Sequence, residues 1–178
     1  IEAVLRPLPL HKDSSREVDE EILNAVLDYA EDSESFAEEP HGLQLVIAEV
    51  AERDPEQFVD FCLQRLENEY VGTSLLPTHL DIDSEKMKQA DGYSTAADVV
   101  ASRILDADYY NPMGFSALTR CFPTSEIAER LIPEIPNCSE DELMHIIWYC
   151  RQYRITEDIE EIYLTIITEG VDNINSTE

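Results

Sequence analysis

Residues 138–170 read CSEDELMHIIWYCRQYRITEDIEEIYLTIITEG, and the two helical patterns in this stretch decide the fold. Ser139 and Glu142 have the spacing of a capping box, in which each side chain satisfies a backbone amide at a helix N-terminus. An apolar stripe at helical spacing follows the box. Its members are Leu143, Ile146, Ile147 and Cys150. This segment therefore predicts a helix that begins directly after Ser139.

A second helix is predicted to begin after Thr156, whose hydroxyl can cap a helix N-terminus. Its apolar stripe consists of Ile159, Ile162, Tyr163, Ile166 and Ile167. Gly170 follows, and glycine best tolerates the left-handed conformation that often ends a helix. Because the connection between the two helices is short, they should fold back as an antiparallel hairpin. Such a hairpin needs neighbouring helices to cover its apolar faces.

A similar pattern occurs earlier in the chain. Asp54-Pro55-Glu56-Gln57 presents a cap, a proline at the first helical position and a capping glutamine. Apolar stripes on both sides of this motif predict a helix hairpin over residues 42–70. Further helices are predicted over residues 15–31, from Ser94 or Thr95 to Leu105, and in two short segments between Asn111 and Pro133.

The predicted fold class is all-α, since no segment has a convincing strand pattern. Successive helix pairs with short links favour stacked antiparallel hairpins, an α-solenoid of the HEAT or TPR kind. No residue signature repeats at a fixed period, which leaves an irregular helical bundle as the alternative. We expect a single helical domain over residues 1–178, with an extended lead-in at 1–13, an irregular loop at 71–93 and a polar tail at 171–178. Within that loop, a short helix from Ser84 to Ala90 fits the sequence.

The chain is strongly acidic, with 39 acidic and 12 basic residues and a net charge of −27. Direct binding to nucleic acid is therefore not expected, because affinity for phosphates depends on Lys and Arg. No single tail carries the charge, since 19 acidic and 5 basic residues lie up to Tyr70 and 20 acidic and 7 basic residues lie beyond it. Two interpretations remain, a surface adapted to high salt or one that attracts a basic partner.

The four cysteines are widely spaced, and most of them lie on or beside apolar helix faces. A cysteine thiol packs as a small hydrophobic group, so this pattern predicts buried, reduced thiols and a cytoplasmic setting. No run of residues approaches the roughly 18 apolar residues of a membrane span, so no membrane insertion is expected. Because the first residue is Ile1, we interpret the sequence as part of a longer chain.

Motifs for catalysis and cofactor binding are lacking in the sequence. It has no G-x-S-x-G, no phosphate-binding glycine loop and no H-E-x-x-H. Cys138, His145 and Cys150 come nearest to a zinc ligand set, but they include no C-x-x-C pair, so no metal site is predicted. Asp81-x-Asp83-x-Glu85 is similar to the start of a calcium loop, but Lys86 stands where glycine is needed. We therefore expect no enzyme and no cofactor, with an unrecognised hydrolase as an alternative.

The expected contact surface lies at the junction of the two helices in residues 138–170. Trp, Tyr and Arg are enriched in interface hot spots, and several of them fall outside the apolar stripe here. The predicted partner-binding residues are Trp148, Tyr149, Arg151, Arg154, Glu157, Asp158 and Glu161. The leading hypothesis is a non-enzymatic acidic helical domain that binds a basic protein, for example an immunity or inhibitor protein that masks a toxin or nuclease. The alternative is a scaffold or accessory domain of a larger protein from a salt-adapted organism.

Overall fold

The computed structural model describes Ala25, Asp28 and residues 41–67, 80–106 and 118–170. These ranges contain seven α-helices: α1 His41–Arg53, α2 Pro55–Glu67, α3 Ser84–Gln89, α4 Tyr93–Leu105, α5 Thr124–Leu131, α6 Glu140–Cys150 and α7 Glu157–Thr165. A 3-10 turn, Ile135–Asn137, precedes α6, and a π-helical turn, Ile166–Gly170, continues α7. The described residues contain no strand, which confirms the all-α prediction.

The chain divides into two compact units, Ile1–Tyr93 and Ser94–Glu178. In the first unit, α1 packs against both α2 and α3. In the second, α7 packs against α5, and the π turn packs against the 3-10 turn. The stacking of successive hairpins and the single domain over residues 1–178 remain predictions. The lead-in at 1–13 and the tail at 171–178 lie outside the described residues.

In the first unit, α1 and α2 form the predicted hairpin, with Asp54 alone between them. The Gln57 amide donates to Asp54 Oδ1 at 3.0 Å, and Pro55 takes the first helical position, where its missing N–H has no partner to lose. The buried side chains of the two helices include Val46, Ile47, Val50, Phe58, Val59 and Cys62. Residues 68–70 lie outside the described part of the chain. So does the helix predicted at 15–31, except for Ala25 and Asp28, which are helical.

The segment predicted as an irregular loop at 71–93 contains the short helix α3. The Asp83 carboxylate caps it, because the two backbone amides of Glu85 and Lys86 donate to Asp83 Oδ1. Glu52 of α1 holds this start in place by accepting from the Asp83 amide at 2.8 Å and from Lys86 Nζ at 2.9 Å. Met87 is fully buried. α3 thus agrees with the short helix expected from Ser84 to Ala90, while residues 71–79 lie outside the described residues.

Arg130 joins α4 to α5 in the second unit. Its guanidinium donates to the Asp98 carboxylate and, through Nη2, to Ser94 Oγ at 3.1 Å, both on α4. Nη1 donates to the main-chain oxygen of Glu126 at 2.7 Å, within α5 itself. The Arg130 side chain is mostly buried but Asp98 is 64% exposed, so solvent weakens the ion pair between them and the bonds of Arg130 mainly fix the position of α5 against α4.

α6 begins at the predicted capping box. The Ser139 amide donates to Glu142 Oε2 at 2.6 Å, and the Glu142 amide donates to Ser139 Oγ at 3.3 Å. Hydrogen bonds from the Ser139 hydroxyl and amide lower the pKa of Glu142. The cap is therefore complete at neutral pH and weakens only as the pH falls through that lowered pKa.

α7 begins at Glu157, with the predicted Thr156 as its cap, because the Ile159 amide donates to Thr156 Oγ1 at 3.4 Å. Ile159, Ile162 and Ile166 are buried as predicted. The prediction that Ile167 also belongs to the buried stripe is wrong, since Ile167 is 66% exposed. Ile167 lies in the π turn, which holds more residues per turn than an α-helix and so departs from the helical spacing of the stripe.

Gly170, the last described residue of the π turn, does not have the conformation that was predicted. Among the described glycines, Gly92 is the one with a positive φ, at +83°, so Gly170 is not left-handed. A β-carbon at position 170 would instead lie 3.3 Å from both terminal methyls of Leu143 and 3.4 Å from a methyl of Ile135. Gly170 therefore lets the π turn pack closely against α6 and the 3-10 turn.

We expect Gly170→Ala to destabilise the second unit by about 1–2 kcal/mol, because the added methyl overpacks the contact with Leu143 and Ile135. Chemical denaturation followed by Trp148 fluorescence measures this change, since Trp148 is the sole tryptophan of the chain and lies in this unit. Glu169→Ala, at an exposed neighbouring position, should stay within about 0.5 kcal/mol of the parent. An unchanged or higher stability of Gly170→Ala would contradict the close-packing explanation.

Candidate functional site

Three of the predicted contact residues lie at the C-terminal end of α6 and are exposed. Trp148 is 43% exposed on the last turn of the helix. Arg151 follows as the C-terminal cap residue, and Arg154 lies in the link to α7. The structure therefore presents one indole and two guanidinium groups to solvent within two helical turns.

Tyr149 does not belong to this exposed set, because its side chain is only 1% exposed. It lies three residues after Ile146, and that spacing places it on the buried face of α6. Its ring packs against Tyr153 with 5.0 Å between centroids, and the Tyr153 hydroxyl donates to Thr119 Oγ1 at 2.8 Å. Burial raises the pKa of Tyr149. Tyr149 is therefore a core residue and cannot serve as an exposed anchor.

The three predicted acidic contacts lie in the first half of α7. Glu157 and Glu161 are exposed, whereas Asp158 is half-buried and accepts a hydrogen bond from Thr124 Oγ1 of α5 at 3.1 Å. Carboxylates near a helix N-terminus also interact favourably with the helix dipole. Asp158 thus helps to hold α7 against α5, while Glu157 and Glu161 remain available to a partner.

The sequence did not predict the exposed apolar side chains beside these residues. Besides Trp148, four large hydrophobic residues in the described part of the chain are exposed. They are Met144 at 45%, Ile155 at 78%, Leu164 at 54% and Ile167 at 66%. Met144 lies one helical turn before Trp148, and that spacing was the available signal for it. Ile167 had no such signal, because the π turn cannot be read from the apolar pattern.

The π turn that follows α7 approaches the start of α6 at one point. Position 170, at the end of the π turn, adjoins Leu143 near the start of α6. Burial raises the pKa of Tyr163 on α7. Met144 and Trp148 on α6, Leu164 on α7 and Ile167 in the π turn are all exposed. We call these four residues the hairpin surface.

The hairpin surface has a negatively charged border. Residues 139–170 contain eight acidic and two basic side chains. The exposed acids of α6 and α7 are Glu140, Asp141, Glu157, Glu160 and Glu161, and Glu169 is exposed in the π turn. The arrangement therefore joins an apolar centre to a mostly anionic rim.

A separate groove of about 650 Å³ lies in the first unit. Its charged lining residues are Asp28, Asp54, Glu56, Asp60 and Asp91, together with Arg53. The φ of +83° at Gly92 favours glycine, while the nearby Glu56 side chain is flexible and could move away from a β-carbon. The sequence did not identify this groove, because its residues come from separate segments of an acidic chain. Its negative charge suits a cationic side chain better than an anion.

Among the described residues, no three His, Cys, Asp or Glu side chains are grouped as a metal site requires. Cys138 and Cys150, two of the nearest zinc-ligand candidates in the sequence, are buried. Burial raises the pKa of Cys138 to about 11 and that of Cys150 to about 12. Both thiols are therefore protonated at neutral pH. No helix in the described ranges has the length and hydropathy needed to span a membrane.

Comparison with known proteins gives no match. The chain matches no protein-family model, and no curated protein and no solved structure is significantly similar to it. Its function therefore has to be inferred from its own residues.

Proposed function

We propose that this chain is a non-enzymatic, acidic helical domain that binds a basic protein. The observation that supports this most is the exposure of Trp148, at 43%, beside other exposed apolar residues on a strongly acidic chain. A half-exposed tryptophan with apolar neighbours is typical of a protein interface, where such residues contribute most of the binding energy. The acidic residues around it favour a basic partner, because complementary charge accelerates association and like charge disfavours acidic proteins.

A protein that masks a basic surface suits this combination of charge and apolar anchors. An inhibitor or immunity protein of a toxin or nuclease is one such class. With a net charge of −27, the chain attracts a cationic protein over the distance of a Debye length, about 8 Å at physiological salt. The buried, protonated thiols of Cys138 and Cys150 support the further proposal of a reducing, cytoplasmic setting.

Adaptation to high salt is the competing proposal, and it rests on the excess of arginine over lysine. The chain has only three lysines, Lys12, Lys86 and Lys88, among its 12 basic residues. In that case the acidic surface serves solvation, the domain belongs to the scaffold of a larger protein, and no basic partner exists. Stability in molar salt and binding to a basic partner separate the two proposals.

We expect the purified partner of this chain to be basic and its affinity to fall at least tenfold between about 0.05 and about 0.5 M salt. Candidates come from cross-linking in cells, and titration calorimetry on the purified pair provides the test. The double variant Glu157→Gln/Glu161→Gln should weaken binding several-fold at low salt, because both carboxylates border the hairpin surface.

The matched control is Glu56→Gln/Asp60→Asn, which removes the same charge from the groove of the first unit. This control should bind like the parent, whereas equal losses in both variants would show that the hairpin surface is not the site. A partner that is neutral, or binding that does not respond to salt, would contradict the proposal. Absence of any basic partner, with stability that rises in molar salt, would favour the salt-adapted scaffold.

A further inference from the structure

We propose that the outer face of α7 and its π turn binds a helix of a basic partner, with an acidic half that pairs with Lys or Arg and an apolar half that packs against hydrophobic side chains. The outer face consists of Glu157, Glu160, Glu161, Leu164, Ile167 and Thr168. This inference rests on the proposed function and narrows it to one face of one helix and to one kind of partner segment.

The outer face is continuous because its residues follow the helical repeat of a single element. Its central line consists of Glu157, Glu161, Leu164 and Thr168, which recur at i, i+4, i+7 and i+11 and are all exposed. Residues at this spacing lie in line along one side of a helix. Ile167 lies beside the apolar end of this line and is 66% exposed. The surface therefore depends on α7 and its π turn alone.

The opposite side of α7 packs inside the second unit. Ile159 and Ile162 are fully buried, and α7 packs against α5. Asp158, at the edge of this side, accepts a hydrogen bond from Thr124 Oγ1 of α5 at 3.1 Å. These contacts fix the rotation of α7 about its own axis, so the outer face turns away from α5 and toward solvent.

The hydroxyl groups near the apolar half are bonded to the main chain of the helix. The Thr168 hydroxyl donates to the Leu164 main-chain oxygen at 2.9 Å, and the Thr165 hydroxyl donates to that of Glu161 at 2.9 Å. Leu164 and Ile167 are thus the side chains of this half that gain most from being covered, because burial of apolar surface drives association. The π turn supports a binding role as well, since such turns are rare and occur often at functional sites.

Charge complementarity decides which occupant fits the outer face. Residues 157–169 contain five acidic and no basic side chains. A second copy of this chain would bring two such faces together, and like charges facing each other across an interface disfavour binding. Lys or Arg on a partner helix would instead pair with Glu157, Glu160 and Glu161. The partner segment is therefore basic.

The two halves of the outer face set the order of side chains in the partner helix. Glu157, Glu160 and Glu161 lie in the first half, and Leu164 and Ile167 lie in the second. From end to end the face is about 16 Å long, because a helix rises about 1.5 Å per residue. A partner helix of about three turns matches this length. Its contact face should carry Lys or Arg in one half and apolar residues in the other.

A fluorescein-labelled helical peptide of about 15 residues tests this inference on the full chain. On one face it carries lysines at i, i+3 and i+4, followed by leucines at i+7, i+10 and i+11, with alanine and glutamine elsewhere. We expect fluorescence anisotropy to give a dissociation constant on the order of 100 μM at about 0.05 M salt. A peptide of the same composition, with lysine and leucine alternating along that face, should bind about fivefold more weakly, and a version with Glu in place of Lys should not bind.

Variants of the apolar half locate the binding to the outer face. Leu164→Ser/Ile167→Ser should weaken binding of the lysine–leucine peptide about tenfold and leave the fold intact, since both residues are exposed. Ile155→Ser, the same kind of change at an exposed site in the link, should change affinity less than about twofold. Circular dichroism confirms that each variant is folded.

Variants of the acidic half test the charge pairing. Glu160→Gln/Glu161→Gln should weaken the peptide about fivefold at low salt and much less at high salt, because salt screens the pairing. Glu56→Gln/Asp60→Asn removes the same charge from the groove of the first unit and should change affinity less than about twofold.

Each contrary outcome points to a different error. If a purified basic partner binds the chain and Leu164→Ser/Ile167→Ser leaves its affinity unchanged, the inference is overturned while the proposed function stands. Equal binding of the alternating peptide also overturns the inference alone, because attraction by charge would then suffice. If neither a basic protein nor either lysine peptide binds, the proposed function fails as well. A dimer in sedimentation that the double serine variant abolishes would show that a second copy occupies the outer face instead.

Discussion

The second unit is expected to lose stability steeply as the pH rises from about 9 to about 12. Burial raises the pKa of Cys121 and of Cys150 from 9.0 to about 12. Burial also raises the pKa of Tyr149 and Tyr153. All four groups lie in this unit.

The sign follows from which state releases the proton first. The unfolded chain loses each thiol proton near pH 9, while the folded chain keeps it until about pH 12. Between these values the folded state binds more protons, so the free energy of unfolding falls by about 1.4 kcal/mol per pH unit for each such group. Below pH 9 the contribution of the thiols is fully present. For Cys150 alone the loss over the whole window is roughly 4 kcal/mol.

Urea denaturation at a series of pH values, followed by Trp148 fluorescence, measures this slope. Cys150→Ala should be somewhat less stable at pH 8, because it loses buried volume. Its alkaline slope should nevertheless be shallower than that of the parent by about 1.4 kcal/mol per pH unit. A parent slope near zero between pH 9 and 11, or an identical slope in Cys150→Ala, would show that these groups are not protonated in the core as described.

Arg65→Ala is expected to destabilise the first unit by about 3–5 kcal/mol. Arg65 lies on α2 with no exposed surface and is the largest fully buried side chain in the described part of the chain. Its guanidinium lies over the Phe61 ring, with 5.9 Å from Cζ to the ring centroid. A buried guanidinium is tolerated only where its donors are satisfied within the protein. Truncation would remove the cation from those acceptors and leave a cavity as well.

Hydrogen exchange in the peptides of α1 and α2 reports on this unit separately, and its loss of protection gives the change in free energy. Arg65→Met keeps much of the side-chain volume but not the charge. It should therefore restore part of the stability lost to the cavity, but little of the stability lost with the hydrogen bonds of the guanidinium. Gln64→Ala, an exposed neighbour on the same helix, is the matched control and should change protection by less than about 0.5 kcal/mol. A loss below about 1 kcal/mol in Arg65→Ala would mean that the buried guanidinium contributes little to stability.

Helix beginnings were the part of this fold that the sequence predicted best. The Asp54 cap, the Ser139–Glu142 box and the Thr156 cap are all present. Each of them joins groups within three residues, so the chain holds the required information locally. The short helix expected at Ser84–Ala90 is also present as α3, but its contact with Glu52, more than 30 residues away in sequence, had no local signal.

The candidate site was predicted only in part. Trp148, Arg151 and the acids Glu157 and Glu161 are exposed as the interface hypothesis requires, whereas Tyr149 is in the core. Helical spacing places Tyr149 on the same face of α6 as the buried Ile146. It was nevertheless predicted to be an exposed anchor, because tyrosine is a residue type enriched in interfaces. The groove of the first unit had no sequence signal, because acidic residues are common throughout the chain.

Local patterns in the chain were enough to establish its helical class, its capped starts and most of its apolar faces, because caps and stripes involve residues within one or two turns. Packing between distant segments settled which apolar side chains are covered. Gly170 approaches Leu143, Ile167 turns outward, and Arg65 is enclosed. Whether a side chain is buried depends on the element that packs against it, and that element can be distant in the sequence.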